Sequence, residues 1–436
     1  MIILNEKDTS QVRLKASLSL FDAVAISVGA IIGGGIFVVT GITAGLAGSA
    51  LVISMLIAAG TSLLTALSFA ELTAWQPKEG SIYEYTYQLI SPFAGFLTGW
   101  MWVLSNTFAG AAVSLGFAYY LAALVPNLNP PHLYPNHIAA IVCLVFTALN
   151  YYGSKQSALV NNALVTAKLL VLAFFIIFGL FYTNTSNFMP FKPFETGVLY
   201  GACYIFFAFG GFARPAVIAE EIKDAKRNVP KAMLIALAIS TLIYVLVGTV
   251  AVGLVGPARL ADSSSPLEEA MKATGNLTSM TIISIGGLLA TASVLLTSVL
   301  GVSRMIYAMA RRKDLPEKLG KLHPRHNTPT YSTLIVGVAM TLLVLFFDLS
   351  RVVAISTFGL LFFYTLANVS ALRLKTQNRR YSRVFPAAGA ITCLAMLVFL
   401  LFASLQAWII GTASLLVGAV YYVAKQRLNS RAKPSK

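Results

Sequence analysis

The sequence predicts an all-α protein that crosses a membrane twelve times, and three observations carry this prediction. Only 11% of the 436 residues are charged and 57% are hydrophobic, whereas soluble domains carry about 25% charged residues. The hydrophobic residues gather in runs of about 20, the length that spans a bilayer core as a helix. The basic residues fall almost wholly in alternate loops, which is how the orientation of a membrane protein is written.

The expected spans are 20–43, 48–74, 92–123, 137–152, 157–182, 197–219, 231–255, 280–310, 330–347, 351–372, 384–404 and 406–424. The fourth is short and the last two are nearly continuous, so eleven spans are the alternative. With the N-terminus inside, the inner segments hold 25 Lys and Arg residues and the outer loops hold four, Lys192, Arg259, Lys272 and Arg351. Three more, Lys168, Arg214 and Arg304, lie within spans. This asymmetry places both ends in the cytoplasm of a cell whose inner membrane holds the protein. The longest loops have about 20 residues, too few for a soluble domain, so residues 1–436 are expected to form one membrane domain. Its parts are a cytoplasmic start (1–19), two five-span units (20–183 and 197–372), two further spans (384–424) and a cytoplasmic tail (425–436). Residues 1–19 are polar and mixed in charge, unlike a cleavable signal.

The net charge of +16 belongs to these loops and not to a nucleic-acid surface, so the expected partner is the bilayer. Cys143, Cys203 and Cys393 sit inside apolar runs and read as small hydrophobes. His132, His137, His323 and His326 fall in loops. No cluster of His, Cys, Asp and Glu points to a metal, a cofactor or acid–base catalysis, so an enzyme is not expected.

Span one contains Gly33, Gly34 and Gly35 at its middle. Each glycine costs a helix about 1 kcal/mol relative to alanine, so the cluster either unwinds the helix or lets another helix approach closely. Span six contains Gly210 and Gly211 followed by Arg214 and Pro215, and is weak at its middle too. The two spans open successive five-span units of opposite orientation. Paired interruptions at matching places in inverted halves point to a substrate site at the membrane midplane. An unwound segment offers amides to a carboxylate and carbonyls to an ammonium, so a zwitterion such as an amino acid suits it. The amides of Gly33 to Gly35 would hold the carboxylate, and the carbonyls of Ile31, Phe207 and Gly210 the amine. Phe206, Phe207, Ala208 and Phe209 line the second break as walls or gate, or serve as ordinary packing residues.

Three further positions stand out. Lys168 is the only Lys within a span; it serves either as a proton relay or as a structural or snorkelling cation. Arg214 binds an anionic substrate group or pairs with Glu220 or Glu221. Ser105 and Asn106 of span three contact a substrate side chain or bond between helices.

These stretches resemble the amino acid–polyamine–organocation permeases. Gly33-Gly-Gly-Ile-Phe37 is similar to that family's glycine-rich stretch of span one. Ala70-Glu-Leu72 with Pro77-Lys-Glu-Gly-Ser-Ile-Tyr83 is similar to the motif after span two. Phe206-Phe-Ala-Phe-Gly-Gly-Phe212 with Ala219-Glu-Glu-Ile-Lys-Asp-Ala-Lys-Arg-Asn-Val-Pro230 resembles its most diagnostic stretch, and Ala310-Arg-Arg-Lys-Asp-Leu-Pro316 also fits. The resemblance covers about residues 18–425 and implies a LeuT-like fold of five plus five inverted helices with two additional C-terminal helices. It also implies proton coupling: proton-coupled members place a Lys in the fifth helix where sodium-coupled relatives bind Na⁺. Lys168 matches that position, with Thr291 and Ser293 as hydroxyl partners, so H⁺ and not Na⁺ is the expected coupling ion. Ala213 departs from the pattern, since the family usually carries an acid there.

A carrier of amino acids or related organic amines, by alternating access, is the function expected from this sequence. A channel would need a continuous polar pore, and one break per inverted half fits a carrier better. Symport and exchange, the side-chain class, and a monomer or a homodimer are left open.

Overall fold

The computed structural model describes residues 17–77, 81–125, 134–152, 158–323, 328–376 and 379–431. Most of the N-terminal segment, Lys78, Lys155, His132, His326 and the end of the tail lie outside these residues. At least one helix lies within each of the twelve expected spans, and spans one and six are broken at their middles. Eight helical stretches among the described residues are long and apolar enough to cross a membrane, one of which, 20–75, carries two expected spans. Three shorter apolar helices accompany them.

Span one is split into α1 (Leu20–Ile31) and, after a π-helical turn at Gly35–Val39, α2 (Thr40–Ala47). Ser19 and Asp22 cap α1 reciprocally, with the Asp22 amide donating to Ser19 Oγ at 3.2 Å and the Ser19 amide donating to Asp22 Oδ2 at 2.9 Å. A 3₁₀ turn at Gly48–Ala50 leads into α3 (Leu51–Trp75). Then come α4 (Ser81–Leu89), α5 (Pro92–Leu124), α6 (Pro135–Tyr151) and α7 (Ala158–Leu180). Span six is split into α8 (Thr196–Phe209) and the single turn α9 (Arg214–Val217). The remainder is α10 (Ala225–Asp262), α11 (Pro266–Lys272), α12 (Leu277–Arg311), α13 (Thr330–Phe346), α14 (Leu349–Arg373), α15 (Val384–Ala403) and α16 (Leu405–Arg431).

Three boundaries differ from expectation. Residues 81–89 read as loop but form α4, which buries Ile82, Tyr83 and Tyr85; the stretch is too short and polar to span, so a search for long apolar runs passes over it. Span one continues to Ala47, past 43. α10 begins at Ala225, ahead of 231, and at Gly256, with φ +75°, a kink ahead of Pro257 separates it from a short further helical stretch that ends at Asp262.

The two broken spans lie antiparallel to one another. Just before the first and after the second, Leu18 and Ile222 form an isolated parallel bridge. Further along, Ser27 Oγ donates to the Phe212 carbonyl at 3.0 Å. At the middle, a Cβ on Gly211 would fall 2.3 Å from the Ala30 carbonyl, and one on Gly35 would fall 2.5 Å from Ala208 Cβ. At the far end, Gly197 abuts the Leu46 carbonyl. Around this pair, α3 packs on α10, α5 on α12, and α6 on α13. α14 lies against α5 and α15, and α7 against α12.

Candidate functional site

Both breaks form where the chain loses its regular i→i−4 bonds. Ile32 leaves helical dihedrals at φ −78° and ψ 84°. The Gly33 amide then turns back onto the Ile31 carbonyl at 2.9 Å. Gly34 and Gly35 open the second half-helix, whose first amides receive no side-chain cap. In span six, Gly210, Phe212 and Arg214 each donate to the carbonyl three residues earlier, at 3.2, 3.3 and 3.1 Å. The glycines also allow close approach: a Cβ on Gly33 would meet Val294 at 2.3 Å, and one on Gly34 would meet Val113 at 2.7 Å. Unwinding and close packing therefore occur together.

Two tyrosines absent from the sequence reading hold the breaks. Tyr244 Oη of α10 lies 2.6 Å from the Ile31 carbonyl and 3.0 Å from the Ala208 carbonyl, so its single proton is shared between acceptors on the two breaks. Tyr364 Oη of α14 donates to the Gly210 carbonyl at 2.9 Å. The Phe207 carbonyl accepts the Gly210 amide. The Phe207 and Gly210 carbonyl oxygens each keep a second lone pair for a ligand, whereas the Ile31 carbonyl already accepts both the Gly33 amide and Tyr244. The available signal was a tyrosine in the middle of an apolar span, whose hydroxyl needs a buried partner. Phe206 and Phe209 are fully buried, and Phe207 faces a narrow apolar gap with Gly34 and Val113.

Tyr244→Phe is expected to lower substrate uptake about tenfold, because the two breaks lose their shared donor, a buried hydrogen bond worth about 0.5–1.5 kcal/mol. Uptake by purified protein in proteoliposomes checks this, with protein yield and size-exclusion profile as the folding control. Unchanged uptake would show that the bond does not set the geometry of the breaks.

Lys168 of α7 is buried, with 1% exposure. Its Nζ donates to the carbonyls of Gly29 at 3.3 Å and Ile32 at 3.4 Å, and to Ser293 Oγ of α12. The ammonium thus joins the end of α1 to α12 and does not reach the surface. No carboxylate pairs with it among the described residues. Thr291 is not bonded to it: the Thr291 hydroxyl donates to Gly287 in its own helix at 2.7 Å, the usual resort of a threonine within a helix. One turn or more from Lys168, Asn162 Nδ2 donates to Asp22 Oδ1 at 2.9 Å, linking α7 to the start of α1.

A cavity opens beside the second break. Gly210, Gly211, Trp102, Asn106, Arg214 and Tyr364 are among its walls, and its free volume is about 30 Å³, room for about two waters. Asn106 Nδ2 bonds back to the Trp102 carbonyl at 3.0 Å, which leaves its oxygen available to the cavity. Ser105 does not join it: Ser105 and Ser356 exchange hydrogen bonds between α5 and α14, each hydroxyl donating to the other's carbonyl at 2.8 Å. Among the described residues no ion pair joins Arg214 to Glu220 or Glu221.

A family model described as amino acid permease matches residues 18–423. The chain is 32% identical to the branched-chain amino acid permease of Bacillus subtilis, over 96% of this chain and 94% of the relative. It is 30% identical to the methylthioribose transporter of Bacillus subtilis, over 96% and 95%. It is 33% identical to cationic amino acid transporter 4 of Mus musculus, over 86% of this chain and 62% of the relative.

Proposed function

The chain belongs to the amino acid permease family, and from that premise we propose that it carries amino acids across the cytoplasmic membrane by alternating access, coupled to protons and independent of sodium. It is a multi-pass membrane transporter and not an enzyme. The observation that carries the proposal is the junction of the two breaks with Lys168. Uncapped amides open the second half-helix of span one at Gly34 and Gly35. The carbonyls of Ile31, Phe207 and Gly210 lie close by, and the Lys168 ammonium holds the carbonyl end of α1. A zwitterion satisfies both kinds of group at once, and neither end of it needs a charged side chain.

The repeat architecture belongs to the same proposal. The antiparallel pairing of spans one and six supports a pseudo-two-fold axis relating 20–183 to 197–372. So does the packing of spans two, three and four against seven, eight and nine. Such inverted units rock against each other around a fixed site. Residues 384–424 add two helices outside the repeat, and the count of basic loops places both termini in the cytoplasm.

For coupling, the protonated amine holds two carbonyls of the break and a hydroxyl of α12. Losing the proton removes its charge-assisted bonds to α1, so the two protonation states favour different arrangements of α1 against α12. A resident cation there also opposes a metal ion at the same point. Exchange of amino acids without net proton movement is the competing transport mode, and a channel is the competing class, against which the small cavity counts.

The test is counterflow in proteoliposomes preloaded with unlabelled substrate, screened over neutral, acidic and basic amino acids, and over methylthioribose because one relative is named for it. The expected result is saturable, sodium-independent counterflow of at least one amino acid, recovered chemically unchanged. Non-saturable flux, or strict dependence on sodium, would overturn the proposal.

A further inference from the structure

Arg214 is a cation placed in the same cavity as the second break. It is partly buried, and its side chain makes no hydrogen bond or ion pair to any described residue. Its Nη1 lies where a Cβ on Gly301 of α12 would come within 2.9 Å, so the guanidinium reaches across the cavity to α12 and the absence of a side chain at Gly301 makes room for it. Taking a cation out of water costs several kcal/mol unless an opposite charge meets it. The acids on its own stretch do not supply that charge. No ion pair joins Arg214 to a carboxylate among the described residues, and Glu71, the buried acid of α3, accepts the amides of Arg380 and Tyr381 at 3.0 and 3.3 Å.

We propose that Arg214 completes the substrate site as a receptor for a side-chain carboxylate, so that the transported class is dicarboxylic amino acids. The inference rests on the amino acid carrier reading and adds the side-chain class to it. The cavity supports it on three counts. Gly210 and Gly211, part of the break that would hold the amino acid frame, line the cavity together with Arg214, so one ligand can touch both. The planar guanidinium offers a two-point fork to a carboxylate, and Asn106 lines the same cavity. A cationic side chain would meet like charge in a site of low dielectric, and a neutral one would leave the guanidinium desolvated without a partner. The aromatic rings of Trp102 and Tyr364 exclude water and strengthen the pairing with an anion.

The experiment compares labelled glutamate with labelled glutamine in proteoliposomes of the full chain, with leucine and lysine as competitors. Glutamate is expected to be taken up with a KM at least about 30-fold below that of glutamine, the effect of about 2 kcal/mol for a buried charge pair. R214Q is expected to remove that preference, and R214K, which keeps the charge and loses the fork, to retain part of it. Size exclusion shows that each variant is folded, and the wild-type ratio alone decides the matter if R214Q does not fold. Wild-type preference for glutamine, leucine or lysine over glutamate would overturn the inference and leave the carrier reading in place, and so would an unchanged ratio in folded R214Q. Transport of no amino acid at all would overturn both.

Discussion

Lys168→Ala should abolish the stimulation of uptake by an imposed pH gradient. The stimulated rate is expected to fall at least about tenfold, towards the rate without a gradient, which corresponds to a lost coupling of about 1.4 kcal/mol. The expectation follows from what Lys168 touches. Its ammonium contacts the carbonyls of Gly29 and Ile32 and the hydroxyl of Ser293, and no other ionisable side chain joins α1 to α12 at that depth among the described residues. Alanine leaves those acceptors without a donor and without anything that titrates. It also removes a buried charge with no paired acid, so the fold is expected to survive, since such a charge is no source of net stability. Lys168→Arg separates charge from proton exchange: arginine keeps the cation and does not release its proton. Arginine should therefore give a folded protein that binds substrate and does not respond to pH. Proton-driven uptake by folded Lys168→Ala at the wild-type rate would remove Lys168 from the coupling mechanism.

Gly211→Ala should be nearly as damaging, for a different reason. The added methyl would lie 2.3 Å from the carbonyl carbon and oxygen of Ala30 and 2.5 Å from the Ile31 amide. These are backbone atoms of the facing break and cannot rotate away. The two broken spans must separate, at a cost of about 1–3 kcal/mol or more for overpacking, and the separation falls where Ile31 and Gly210 present their carbonyls. Uptake is expected to fall below about one tenth of wild type, with a lower melting temperature in detergent. Gly60→Ala is the contrast: this glycine lies on the outward face of α3 with nothing within 4 Å of its added methyl. It should fold and transport as well as wild type, since alanine is the better helix former. Equal behaviour of the two variants would show that the crossing of the spans is not tight.

The spans, and the weakness at Gly33 to Gly35 and Gly210 to Gly211, were legible in the sequence because each is a local property. A run of apolar residues and a cluster of glycines mean the same in any surroundings. Tyr244 and Tyr364 were not legible. Each sits in an ordinary-looking apolar helix, and its role depends on which carbonyls the folded chain brings within reach, far away in sequence. The same holds for Thr291 and Ser293. Both lie on α12 near the expected place, but only Ser293 points at Lys168, while Thr291 turns back to Gly287. α4 was missed because its apolar residues, Ile82, Tyr83 and Tyr85, suit one buried face of a short helix and not a span. For Arg214, the sequence offered Glu220 and Glu221 as nearby acids, and nearness in sequence proved a poor guide, since the bend after the break directs the guanidinium towards α12.

The central claim is that one amino acid and a proton cross together, without sodium. The most direct measurement is substrate-dependent proton entry into proteoliposomes that contain a pH-sensitive dye and sodium-free buffer, with no pH gradient at the start. The account predicts that adding a transported amino acid outside acidifies the lumen, that the signal saturates with substrate, and that it is absent in Lys168→Ala. Entry of labelled amino acid with no change in lumenal pH, or acidification only when sodium is present, would contradict it.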